Sequence, residues 1–141
     1  MSDSDVAFAE LDPDSGERFQ RLRRELGVQS FGLNLLTLQP GQRSRVHVHQ
    51  QQEEVYLVLE GELTLIVEGT DHALPRGRLA RVPGALRRQL VNTGHERVVL
   101  IALGGAGEHE SRDALAWGSW DEAGPGRQPQ DVPLPEDLAV D

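Results

Sequence analysis

Between Ser30 and Leu103 the apolar positions fall into short runs rich in valine, isoleucine and leucine: SFGLNLLTLQ, RVHVH, EVYLVLE, ELTLIVE, RLARV, RRQLVN and RVVLIAL. Turn-forming residues separate them, with PG at 40–41, Gly61, GTD at 69–71, PRG at 75–77, PG at 83–84 and NTG at 92–94. Strands recurring about every ten residues predict an all-β sandwich or barrel. No run of helical period lies between them, which argues against a parallel α/β sheet. Upstream the period changes. In PDSGERFQRLRREL, residues 13–26, Phe19, Leu22 and Leu26 fall on one face of a predicted helix that Asp14 or Ser15 can cap and Gly27 can stop. Arg18, Arg21, Arg24 and Glu25 lie mostly off that face. A solvated helix surface is favoured for them over an anion-binding one.

From Asp121 onward the composition shifts again, to Pro125, Pro129, Pro133 and Pro135, six acidic residues and one arginine. Such a segment reads as an extended tail that orders only by docking on a surface. Trp117 and Trp120 precede it as a docking point against the barrel, or alternatively as a stacking surface for a ligand. The chain therefore divides into an N-terminal segment with a short helix (1–29), a β-sandwich or barrel (30–105), and a C-terminal strand or extension with a Pro-rich acidic tail (106–141). It contains no internal repeat.

A length of 141 residues, with 38% hydrophobic and 26% charged residues, suits one soluble globular domain. The longest apolar runs, VYLVL, TLIV and VVLIAL, are too short to span a bilayer, and the acidic start MSDSDVAFAELD does not resemble a secretory signal. The expectation is a cytoplasmic protein with no membrane partner. Composition narrows the chemistry further. No cysteine is present, which excludes disulfides, zinc knuckles and thiol nucleophiles. No lysine is present either, so Schiff-base chemistry and phosphate-loop lysines are excluded. The net charge of −9 argues against a nucleic-acid partner. Histidine, carboxylates, arginine, the single tyrosine, hydroxyls or a bound metal must carry any chemistry.

RVHVH supplies a candidate. Alternate residues of a strand share a face, so His47 and His49 point one way and Val46 and Val48 the other. Two imidazoles on one face make half of a transition-metal site; the plainer reading is a pair of surface histidines. A strand returning antiparallel beside them would bring Glu53 or Glu54 close. Parity leaves both open, because Glu54 shares a face with Tyr56 and Val58, and Glu53 with Val55 and Leu57. Two imidazoles and a carboxylate suit a divalent iron, manganese, nickel or zinc ion.

The run from Gly41 through His47, His49 and Glu54 to Gly61 resembles the first signature of the cupin superfamily: G, five residues, HxH, four residues, E, six residues, G. Every spacing matches. The resemblance selects Glu54 over Glu53 as the third ligand and implies a double-stranded β-helix, or jelly roll, over roughly residues 30–105. The superfamily's second signature is met by Gly77, Pro83 and Asn92. It departs at Ala85, where glycine is expected, and at Arg88, where the fourth ligand, a histidine, is expected.

A guanidinium cannot ligate a metal. At roughly 5 Å from a divalent ion, and with an effective dielectric near 20, the repulsion is about 6 kcal/mol before screening. Three arrangements stay open. The metal sits on His47, His49 and Glu54 while Arg88 turns away to anchor a substrate carboxylate or phosphate; or Arg88 pairs with Glu54 in a metal-free polar pocket; or another histidine (His72, His95 or His109) fills the vacancy. Arg87 is the inward residue if the strand slips by one. Three ligands retained at correct spacing favour the first arrangement. The resemblance implies a metal-dependent enzyme of dioxygenase, isomerase or lyase type, with Tyr56 as a candidate acid or ligand contact, or else a non-catalytic small-molecule binder. A homodimer is expected from the long apolar run SFGLNLLTL and from the habit of the family.

Overall fold

The computed structural model describes residues 5–105 and 113–140. Its elements in chain order are β1 (Phe19–Gln20), α1 (Leu22–Leu26), β2 (Gly32–Leu38), β3 (Val46–His49), β4 (Glu53–Glu60), β5 (Glu62–Val67), β6 (Thr70–Pro75), β7 (Leu79–Val82), β8 (Arg88–Val91), β9 (Val98–Gly105) and β10 (Ala114–Trp117). The strands form two antiparallel five-stranded sheets, ordered β1-β2-β9-β4-β7 and β10-β3-β8-β5-β6. Inward residues of both sheets make one core: Leu36, Leu38, Tyr56, Val58, Leu63, Leu65, Leu74, Val82, Leu90, Val98 and Leu100 are all buried. Two facing sheets closed around such a core are the all-β architecture that the strand spacing predicts and the jelly roll that the resemblance implies.

Seven strands coincide with the apolar runs of the sequence. β1, β6 and β10 do not. β6 is an edge strand in which only Leu74 is buried, so it carries no alternating signal. It pairs with β5 through a tight turn at Glu68 and Gly69, both at positive φ (47° and 80°). β10 packs Trp117 against Val46 and Val48 on the outer side of β3.

The predicted helix over 13–26 shrinks to the five residues of α1. Phe19 and Gln20 pair instead with Leu36 and Leu35, because the edge of β2 offers backbone hydrogen-bonding groups that a helix there would leave unmet. Neither Asp14 nor Ser15 caps α1. Arg21 occupies that position without a side-chain bond, while Gly27 ends the helix at φ 73° as expected. The Leu22 side chain buries against Leu35 and Val99, with Ala9 and Leu33 beside it. That packing covers Leu35 and part of Leu33 on the outer face of β2, while Phe31 of the run SFGLNLLTL stays exposed.

The tail is extended and docked. Leu138 N–H donates to Gly41 O (2.8 Å), Arg43 Nε to Glu136 O (2.9 Å) and Arg45 Nε to Val132 O, whose side chain is buried. Trp117 Nε1 donates to Gly124 O (3.0 Å) and carries the Arg87 guanidinium 4.0 Å above its ring, while Trp120 Nε1 donates to Gln89 Oε1 (2.9 Å). Both indoles thus serve packing on the outer side of the second sheet. Among the described residues, no helix is long and apolar enough to cross a membrane.

Candidate metal centre

Strand parity turns His47 and His49 into the barrel, as Val46 and Val48 pack outward against Trp117. Glu54 reaches them by another route than expected. β3 has β8 and β10 as neighbours, not β4; β4 lies in the facing sheet, with Glu54 between Val82 and Gly104. The polar stretch QQQE is the crossover. It is pinned by Asp113, whose backbone carbonyl accepts from Gln50 N–H and whose buried carboxylate accepts from the N–H groups of Gln51 and Gln52. Glu53 points outward and is exposed, 3.8 Å from Arg81.

His47 Nε2 lies 3.7 Å from Glu54 Oε1, and His49 Nε2 lies 3.2 Å from Glu54 Oε2. The two rings stand edge to face at 5.4 Å between centroids. One donor atom from each of the three residues falls within 4.8 Å of the other two, the proximity that a shared ion requires. His47 Nδ1 is 3.1 Å from Arg45 O; a carbonyl only accepts, so the proton sits on Nδ1 and leaves the Nε2 lone pair free. His49 Nε2 is buried and out of line for a hydrogen bond with the carboxylate beside it. A buried nitrogen without a partner is costly unless something binds it, and this donor set fits a divalent ion.

Around Glu54 the electrostatics are tightly coupled. Burial alone would raise its pKa, but the His47 and His49 imidazoles outweigh that and hold the carboxyl well below the usual range. Burial, then the Glu54 charge, push the Tyr56 hydroxyl well above the ordinary phenol value. Tyr56 is therefore a neutral donor, and it donates to Glu54 Oε1. Arg88, in register with His47, is fully buried: Nη1 lies 3.4 Å from Glu54 Oε1, and Nη2 donates to Pro83 O (2.5 Å) and approaches Gly84 O (3.5 Å). Tyr56 and Arg88 thus both engage Oε1, while Oε2 faces His49. Arg87 points outward, onto Trp117. His72 and His95 are exposed and outside the cluster, and His109 lies outside the described residues.

The site opens onto a cavity of about 590 Å3 lined by His49, Glu54, Arg45, Asn34 and Gln52, with Arg21, Arg23 and Arg24 from the N-terminal segment. A smaller adjoining space of about 190 Å3 is lined by His47, His49, Glu54 and Tyr56; Arg88 lines neither. Sequence reasoning missed Asp113, Gln52 and Asn34. The arginines around α1 carried a signal in their clustering, but their direction did not follow from it.

A jelly roll with two histidines and a glutamate gathered inside it defines a class. The cupin-domain family model matches residues 34–104, half of the chain, and the chain belongs to the cupin family. Among solved structures, a sugar phosphate isomerase from Silicibacter pomeroyi is 29% identical with a TM-score of 0.61, over 72% of this chain and 65% of that one. A protein from Acidithiobacillus ferrooxidans, provisionally called a sugar phosphate isomerase, is 26% identical with a TM-score of 0.60, over 68% of this chain and 62% of that one. The chain thus spans under two thirds of the length of either. A Cupin 2 conserved barrel domain protein from Salinispora arenicola is 25% identical with a TM-score of 0.58, over 75% and 89% of the two chains. No curated protein matches the sequence.

Proposed function

We propose that this cupin binds a divalent transition-metal ion through Nε2 of His47, Nε2 of His49 and a Glu54 carboxylate oxygen, and works as a metal-dependent enzyme on a small oxygen-rich substrate held in the adjoining cavity. The observation that carries the reading is the convergence of three donor atoms within 4.8 Å at the wall of that cavity, one of them a buried nitrogen that makes no hydrogen bond. Iron, manganese, nickel and zinc all suit two imidazoles and a carboxylate. Among dioxygenase, isomerase and lyase chemistry, likeness to two structures named for sugar phosphate isomerisation supports the isomerase type.

When bound, the ion would supply Lewis acidity, polarising a substrate oxygen. The rest is the work of this chain. The Nδ1 proton of His47, given to Arg45 O, fixes the ring with Nε2 free. Tyr56 keeps its proton at neutral pH, orients Glu54, and lines the smaller space as the candidate catalytic acid. Arg88, expected as a ligand contact, is better read as a positioning residue. It compensates Glu54 on Oε1 and directs its second nitrogen at backbone carbonyls.

The same ion pair favours a second reading, in which Arg88 stands in for the metal and the pocket only binds a small molecule. Elemental analysis separates the two. Metal is expected at about one equivalent in the wild type and near zero in His47→Ala; if neither protein holds metal, the enzyme reading fails.

A further inference from the structure

Arginine distribution around the cavity is not what the composition of the chain would lead one to expect. On a molecule of net charge −9, four of the fourteen arginines line one cavity: Arg21, Arg23, Arg24 and Arg45. Glu54, already engaged by Tyr56 and Arg88, is the only carboxylate among its described lining residues. Elsewhere arginines are commonly neutralised: Arg18 pairs with Asp137, Arg81 with Glu53, Arg97 with Glu60 and Asp14, and Arg127 with Glu122. Among the described residues, no carboxylate pairs with any of the four that line the cavity. Arg23 Nε is moreover buried without a hydrogen-bond partner. Four like charges without a carboxylate partner line one half-open cavity, Arg21 and Arg24 exposed and Arg23 and Arg45 half-buried, and an anion bound among them would supply the missing counter-charge.

We infer that Arg21, Arg23, Arg24 and Arg45 form an anion subsite that takes the phosphate group of a phosphomonoester, whose other end reaches His49 and Glu54. A phosphomonoester is close to a dianion at neutral pH and offers three acceptor oxygens, which guanidinium forks match better than a single carboxylate would use. A cavity of about 590 Å3 is of the size that holds a small phosphorylated metabolite. Helix α1 is short because Phe19 and Gln20 are spent on the sheet edge, and that truncation sets Arg21, Arg23 and Arg24 at the mouth of the barrel. The inference deepens the proposed metal-dependent activity and rests on it only for what happens at the other end of the substrate.

The test is an NMR titration of the full chain, as purified with its metal, following the side-chain Nε–Hε signals of arginine. Inorganic phosphate is the probe, and acetate at matched ionic strength the control. Phosphate is expected to shift the signals of Arg21, Arg23, Arg24 and Arg45 saturably, with affinity about tenfold above that for acetate. The triple variant Arg21→Gln, Arg23→Gln, Arg24→Gln, altered on a mostly solvated helix, is expected to bind phosphate at least about tenfold more weakly, with unchanged melting temperature and metal content. Undiminished phosphate binding in that variant overturns the subsite, as does an equal response to acetate and phosphate. Phosphate binding retained by a metal-free His49→Ala protein upholds the subsite independently of the metal. If the wild type proves metal-free yet binds phosphate at these arginines, the proposed activity fails and the subsite stands.

Discussion

Arg88 and Glu54 meet across the barrel from opposite sheets, Nη1 3.4 Å from Oε1, with the guanidinium fully buried. Replacing Arg88 with leucine leaves Glu54 buried without its cation, and breaking such a pair from one side costs about 3 kcal/mol or more. Chemical denaturation of Arg88→Leu should show a loss of that order, and a loss below about 1 kcal/mol would mean the pair is not structural.

Arg88→His tests the site from the other direction. It removes a cation and supplies a fourth imidazole at the place where the second signature expects one. Metal affinity, measured by competition against a chelator, should rise above the wild-type value. No rise would show that the arginine is not what limits binding.

Metal removal should be visible in stability. A ligand that binds only the folded chain, held at a thousandfold its dissociation constant, contributes about 4 kcal/mol. A chelator should therefore lower the melting temperature of the wild type and leave that of His49→Ala unmoved; equal shifts in both would place the metal elsewhere.

Tyr56→Phe takes away the hydrogen bond that the neutral hydroxyl gives the Glu54 carboxylate at Oε1, while keeping the ring in the core. Loss of such a supporting bond weakens metal affinity by roughly tenfold or more. Competition against a fluorescent chelator would measure it, and an unchanged affinity would leave Tyr56 with no orienting role.

Gly61→Ala should cost about 1–3 kcal/mol in thermal or chemical unfolding. The position has φ 74°, and a Cβ there would sit 2.3 Å from Arg97 O, where the chain turns from β4 into β5. A neutral substitution would remove this explanation of the first signature's last glycine.

How much was legible beforehand depends on the kind of signal each residue carries. His47 and His49 were readable because a strand's period of two fixes which side chains share a face without knowledge of the neighbours. Glu54 was selected by resemblance, since both faces of EVYLVLE are apolar and parity alone decided nothing. Its route to the histidines, across the barrel from the other sheet, depends on a crossover that Asp113 pins from a distant part of the chain. β6 escaped notice because an exposed edge strand has no hydrophobic alternation, and the helix over 13–26 was overestimated because strand pairing outcompeted local propensity.

By itself the sequence determined the all-β class and the histidine pair, which depend on local spacing and residue chemistry; its resemblance to the cupin signatures singled out Arg88, while β1 and β10 extend the sheets beyond residues 30–105. Only the tertiary structure decided where Arg88 spends its charge and which arginines face the cavity. Those outcomes depend on which strands become neighbours, and that is settled by burial of the whole core rather than by any one segment.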